Sequence, residues 1–122
     1  MSPCVFCVPD RPLLAENARA QAFYDINPVS KGHALVVPKR HVRTIFDAEP
    51  DDCAACFELV REVRALLLSA LAPDGFNVGV NCEVAGGQSV WHAHIHVIPR
   101  YIGDVADPLG GVRNVIPRVR RT

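Results

Sequence analysis

The chain is predicted to fold as an α+β domain: one five-stranded antiparallel sheet with a single long helix packed on it. Three observations carry that expectation. Segments come in the order strand, strand, strand, helix, strand, strand, and their short connections favour antiparallel pairing. Residues 50–71 repeat apolar side chains at intervals of three and four, the spacing of one helix face. Residues 90–99 alternate strictly, as a strand with two unlike faces does.

In chain order, residues 13–17 and 21–24 read as two short strands joined through Ala18-Arg19-Ala20. Residues 25–32 form a loop punctuated by Pro28 and Gly32. His33-Ala34-Leu35-Val36-Val37-Pro38 is a near-continuous apolar run, as expected of a central strand, and Pro38 ends it. In the helix, Pro50 fits the first turn, and Asp51 and Asp52 suit the positive N-terminal end. Its apolar stripe reads Cys53, Cys56, Phe57, Val60, Val63, Leu67 and Leu71, so Cys53-x-x-Cys56 belongs to the core and not to a metal. Ala72-Pro73-Asp74-Gly75 turns the chain into a strand over 76–81, where Phe76, Val78 and Val80 alternate with Asn77, Gly79 and Asn81. After Arg100 the chain reads as irregular, with Gly103, Pro108, Gly110, Gly111 and Pro117.

A length of 122 residues fits one domain spanning 1–122, with a core over about 4–100, a tail over 101–122, and 49% hydrophobic residues to fill the interior. Zero formal net charge argues against a basic nucleic-acid surface. Arg113, Arg118, Arg120 and Arg121 read as a solvated tail. No apolar run approaches the ~18 residues of a membrane span. Met1-Ser2-Pro3-Cys4 lacks the basic and apolar regions of a signal peptide, so the expected location is the cytoplasm. Five cysteines in that setting read as thiols or metal ligands rather than disulfides.

Chemistry concentrates in residues 90–99, where His92, His94 and His96 share one parity, their backbones roughly 6.6 Å apart in a strand. Charge on one imidazole disfavours charge on the next, and a bound anion offsets that repulsion. Neutral imidazole is also a nucleophile and a metal ligand. Directly before it, Gly86 and Gly87 let the backbone approach a ligand, and Gln88 and Ser89 add an amide and a hydroxyl. The combination reads as a phosphate cradle facing a nucleophile. At the start of the chain, Cys4-Val5-Phe6-Cys7 has the spacing with which two thiolates grip one zinc ion. A redox pair would open a helix, which Pro9 and Pro12 oppose, and two unligated thiols remain the alternative.

The stretch Gly86-Gly87-Gln88-Ser89-Val90-Trp91-His92-Ala93-His94-Ile95-His96-Val97-Ile98 resembles the signature of the histidine triad (HIT) family, His-φ-His-φ-His-φ-φ with φ apolar. The resemblance implies a HIT-like fold and a homodimer in which two sheets join edge to edge. It implies that His94 is the nucleophile, oriented by the backbone carbonyl of His92, and that a nucleotidyl-imidazole forms and is hydrolysed. His96, Ser89, Gln88 and Asn81 would contact phosphates, and Asp25 would hold the ribose hydroxyls. Val5, Phe6, Phe23 and Ile26 would line a purine slot. His33 follows Gly32 as in the family's Pro-x-x-Gly-His and would support the triad or make a structural hydrogen bond. Cys4, Cys7, His41 and His92 would complete a structural Cys₂His₂ zinc site, one ion per chain.

The expected activity is therefore hydrolysis at the α-phosphate of a purine nucleotide conjugate, with dinucleoside polyphosphates favoured. The family's phosphoramidate hydrolases and nucleotidyl transferases are the alternatives, because all attack the same phosphorus. The tail lacks the short Trp-bearing ending of the phosphoramidase branch. A metal-dependent hydrolase using His-x-His, which lacks a well-placed third ligand and base, and a nucleotide-binding module without turnover are the competing classes.

Overall fold

A computed structural model describes residues 4–117. The strands are β1 (Ala15–Glu16), β2 (Ala20–Tyr24), β3 (Ala34–Pro38), β4 (Gly75–Gly79) and β5 (Ile95–Arg100), and α1 spans Pro50–Leu71. They form one antiparallel sheet in the order β1-β2-β3-β5-β4. The α+β expectation holds, with β3 central. Met1, Ser2, Pro3, Arg118, Arg120 and Arg121, to which the sequence reading assigned the missing signal peptide and the solvated tail, lie outside the described residues.

Local chemistry sets the connections. The Asn17 side chain accepts from the backbone N–H groups of Arg19 (3.0 Å) and Ala20 (2.9 Å), closing the β1–β2 turn. Thr44 and Asp47 form a reciprocal cap on a short 3₁₀ turn, Ile45–Asp47, ahead of α1. The helix ends at Ala72, which adopts φ 50° and returns its N–H to Leu68.

α1 buries Cys56, Leu59, Val60, Val63 and Leu67 against Ala20, Ala22, Ala34, Val36, Ile95 and Val97 of the sheet. Phe57, expected in the stripe, is 50% exposed, and Leu59 is fully buried instead. Successive helix residues diverge by about 100°, so a stripe centred on Cys56, Val60 and Val63 takes in Leu59 and leaves Phe57 outside. Asp52 heads the buried face at 3% exposure, held by Arg19 at 2.9 Å. Periodicity counts such a residue as polar and cannot foresee its partner.

The last strand begins at Ile95, not at residue 90. Its pairing with β3 stops at Val36↔Ile95. Beyond that point Pro38 has no N–H to offer, its carbonyl accepts from His92 Nε2 (2.7 Å), and the Ala93 N–H donates to the Val42 carbonyl (2.8 Å). Residues 90–94 thus leave the ladder. In the sheet, Phe23 pairs with Leu35, Leu35 with His96, and His96 with Gly79, which puts all four on the face away from α1. Phe6, Phe23, Leu35 and Val37 make a second small core there. The tail is less irregular than expected: Arg100 clasps Asp104 (2.7 and 2.8 Å) and Asn77 (2.6 Å), and Gly111–Val115 forms a 3₁₀ helix. No helix among the described residues is long and apolar enough to cross a membrane.

Candidate active site

A cleft of about 380 Å³ opens on the face away from α1, within the range of small-molecule sites. His94, His96, Ser89, Gly87 and Asn81 line it together with Val5, Phe6, Asp25 and Ile26. Residues far apart in sequence meet because β5, the loop before it, the β2 end and the N-terminal segment converge there.

The proton positions on the imidazoles follow from their partners. His94, 6% exposed, has Nδ1 2.8 Å from the His92 carbonyl. A carbonyl only accepts, so Nδ1 carries the proton and Nε2 keeps its lone pair. The backbone N–H of Val29 donates to His33 Nδ1 at 3.1 Å, so His33 carries its proton on Nε2. That nitrogen lies 2.9 Å from His96 Nδ1 and donates to it. His96 must then be protonated on Nε2, which is buried and has no partner among the described residues. A buried N–H left unpaired is costly, and an acceptor atom on a ligand would satisfy it.

Asp25, His33 and His96 are also close enough to share a cation. The His33 nitrogen that faces the other two bears the proton, however, so the group is a hydrogen-bond relay and not a chelate. Asp25 sits 3.5 Å from that nitrogen through Oδ2, while its Oδ1 accepts from the Asn27 N–H (2.9 Å).

The loop before the histidines is braced from beneath. Gln88, expected from the sequence to contact phosphate, is not among the residues that line the cleft. It is 5% exposed; its Oε1 accepts from the Glu83 N–H (2.9 Å), and its Nε2 donates to the carbonyls of Arg43 (2.6 Å) and Val90 (3.0 Å). Both N–H groups of the amide are so engaged, and neither is left to donate to a phosphate. Gly87, at φ +90°, completes the turn, and Ser89 faces the cleft. The Arg43 guanidinium grips Glu83 (2.8 Å) and stacks on Trp91 (4.4 Å to the ring centre), locking the loop further.

Phe23 is likewise not a lining residue. It lies wholly buried beneath Phe6, ring centres 5.3 Å apart, and forms the floor of the slot. Conversely, Asp10, Arg11, Asn27 and Leu35 line the cleft without having been singled out from the sequence. Arg11 donates to the Tyr24 carbonyl (3.1 Å), pairs with Asp10 (2.8 Å) and lies over Phe23. The only sequence signal for Asp10 and Arg11 was their nearness to Cys7, and for Asn27 its nearness to Asp25.

Beside the cleft, Cys4, Cys7, His41 and His92 bring four ligand atoms within 4.8 Å of one another. His92 is fully buried and donates from Nε2 to Pro38, so its Nδ1 is bare and faces Cys4 Sγ (3.3 Å) and Cys7 Sγ (3.4 Å). His41 Nδ1 lies 3.3 Å from Cys7 Sγ. Tetrahedral zinc with its usual bond lengths separates sulfur and nitrogen ligands by about 3.5 Å, so the donor set and its spacing fit. Burial, helped by the neighbouring Cys4, pushes the Cys7 thiol up to about 11, so a cation must displace its proton on binding.

Burial also lowers His33 and His96, the latter to about 4, where the nearby His94 and His33 add to the effect and Asp25 opposes it. Both titrate near 6.5 when unfolded. Between those values the unfolded chain binds protons that the folded chain refuses, so acid favours unfolding. Stability is expected to fall from about pH 6.5 to about pH 4 through His96, by at most about 1.4 kcal/mol per pH unit, with His33 acting in the same direction. Urea midpoints across that range check this, and His96→Asn should flatten part of the slope.

Comparison with known proteins bears on this geometry. The HIT domain family matches residues 9–103. An uncharacterised HIT-like protein of Methanocaldococcus jannaschii is 40% identical over 119 residues, covering 92% of this chain and 91% of that one. The adenosine 5'-monophosphoramidase of Schizosaccharomyces pombe is 40% identical over 102 residues, covering 80% and 74%. The asymmetrical bis(5'-nucleosyl)-tetraphosphatase of the same yeast is 34% identical over 86 residues, covering 70% of this chain but 47% of that protein, so the chain spans about half its length. Among solved structures, a Zn-bound histidine triad family protein from Mycobacterium smegmatis superposes with a TM-score of 0.76 at 33% identity, covering 85% of this chain and 79% of that one.

Proposed function

This chain belongs to the HIT domain family, and on that premise we propose that it hydrolyses a purine nucleotide conjugate at the α-phosphate through a nucleotidyl-imidazole on His94. The observation that carries the reading is the pairing of a bare His94 Nε2 with the buried, unpartnered Nε2–H of His96 in one cleft. His94 Nε2 attacks phosphorus, and the bond to the leaving group breaks with its electron pair. Water then attacks the same phosphorus and releases the nucleotide and free imidazole. The covalent route splits one hard displacement into two easier ones. His96 Nε2–H, Ser89 and Asn81 answer the oxygen charge that develops, and the His33 relay keeps that N–H in place. Asp25 accepts from the ribose hydroxyls, while Val5, Phe6 and Ile26 enclose the base over the Phe23 floor.

Zinc held by Cys4, Cys7, His41 and His92 would be a closed structural site, with no position left for substrate. A homodimer would form through β4, the sheet edge long enough to pair, since the opposite edge strand has two residues. Free thiols at all five cysteines suit a reducing compartment such as the cytoplasm. The leaving group is taken to be the rest of a dinucleoside polyphosphate. A phosphoramidate is the second reading, favoured by the yeast monophosphoramidase's longer match to this chain.

Diadenosine tetraphosphate and adenosine 5'-phosphoramidate, supplied separately and followed by chromatography, decide between them. AMP released catalytically from either is expected, and the faster substrate names the leaving group. Binding of both without release would overturn hydrolysis.

A further inference from the structure

The N-terminal segment serves two sites at once. Cys4 and Cys7 face the metal-binding histidines, while Val5, Phe6, Asp10 and Arg11 line the cleft. Phe6 links the two. Its ring centre lies 6.1 Å from that of His92, a metal-site residue, and 5.1 Å from that of His94, edge-on to both.

What ties this segment to the sheet is limited. No strand ladder includes it, and the first ladder-like bond, from the Leu14 N–H to the Ala22 carbonyl, comes only after Pro12. The turn at residues 4–8 closes on itself, with the N–H groups of Cys7 and Val8 both donating to the Cys4 carbonyl (3.2 Å each). Outward from residues 4–8 run the bond from Gln21 Nε2 to the Phe6 carbonyl (3.2 Å), packing of Phe6 on Phe23, His92 and His94, and the two thiols facing His41 and His92. Thiol contacts to imidazole are weak hydrogen bonds, whereas two metal–sulfur bonds would pin residues 4 and 7 to the sheet.

Three phosphate-side residues are braced from elsewhere. Ser89 and Gly87 sit on the loop braced by Gln88 and Arg43, and His96 is oriented from Val29 through His33. His92 keeps its Nε2–H bond to Pro38 whatever faces its Nδ1, so its carbonyl continues to orient His94.

We propose that the cation held by Cys4, Cys7, His41 and His92 sets the wall of the nucleobase slot, so that these ligands are positioning residues for base recognition. The inference rests on the cleft being a nucleotide site. It separates base from phosphate: losing the cation loosens Val5 and Phe6 and leaves the phosphate cradle as it was.

The test measures binding of AMP and of ribose 5-phosphate, which lacks the base, by calorimetry on zinc-loaded and chelator-stripped protein. His41→Ala provides a milder perturbation, because His41 is exposed and three ligands remain. The expected result is a loss of roughly 10-fold or more in AMP affinity, from loosening an aromatic wall, with ribose 5-phosphate changed less than about 2-fold. His41→Ala should show the same split with its melting temperature nearly kept, and amide exchange at residues 5–8 should speed up while that at 87–89 does not. Equal loss for both ligands would show a general loosening and overturn the inference, as would unchanged AMP affinity or failure of the protein to take up zinc. Zinc-loaded protein that binds neither ligand would overturn the nucleotide reading itself, a different outcome from either.

Discussion

His94→Asn is expected to abolish turnover, by on the order of a thousandfold or more, while AMP affinity stays within about 3-fold. The reason is local. His94 Nε2 is the cleft nitrogen left with a lone pair, because Nδ1 is committed to the His92 carbonyl at 2.8 Å. Asparagine can keep a bond to that carbonyl through its amide but offers no nucleophilic nitrogen. On the proposed reading the anion is cradled by other residues: Ser89 on its braced loop and His96 on its relay. Binding and chemistry should therefore separate in this variant. His96→Asn should instead weaken both, since it removes a donor and leaves the nucleophile. A His94→Asn enzyme that still turns over, with His96→Asn dead, would move the nucleophile to the other imidazole. Rapid quenching should trap a nucleotidyl adduct on wild type and none on His94→Asn.

Phe23→Ala is expected to cost about 3–5 kcal/mol of folding stability, a large share of the roughly 5–15 kcal/mol a domain of this kind has. Phe23 is fully buried with Phe6 and Leu35, and Arg11 lies over its ring. Its removal leaves a cavity under the slot that neighbouring strand residues cannot fill, because β2 and β3 are held in register from Ala20↔Pro38 to Tyr24↔Ala34. Denaturant unfolding with the midpoint read by circular dichroism checks the value. A loss below about 1 kcal/mol would mean that Phe6 and Arg11 collapse into the space.

What was legible in the sequence follows the range of the interactions concerned. The helix limits were readable because Pro50, the acidic first turn and the Ala72-Pro73 end are local signals. The three triad histidines were readable because alternation holds over a few residues. Phe57 and Leu59 exchanged places because the stripe has a width that a one-dimensional pattern does not fix. Gln88 was recognised by type, but its direction depends on Arg43, 45 positions away in the chain. Asp10 and Arg11 reach the cleft through a turn with no period at all. The start of β5 was misplaced because Pro38, in a different strand, ends the ladder that alternation alone would continue.

The three imidazoles share a property with consequences for redesign. Main-chain groups place these protons, the Pro38 carbonyl for His92 and the His92 carbonyl for His94 directly, and the Val29 N–H for His96 through one side chain, His33. Main-chain groups persist whatever side chain they carry, and of these only the Val29 N–H could be deleted by substitution, with proline. Protonation pattern and cleft lining are therefore written in different atoms. Val5, Ile26 and Asn27 can drift or be engineered toward new conjugates while the reactive nitrogens keep their states. Such a scaffold can diversify its substrates without reinventing its chemistry.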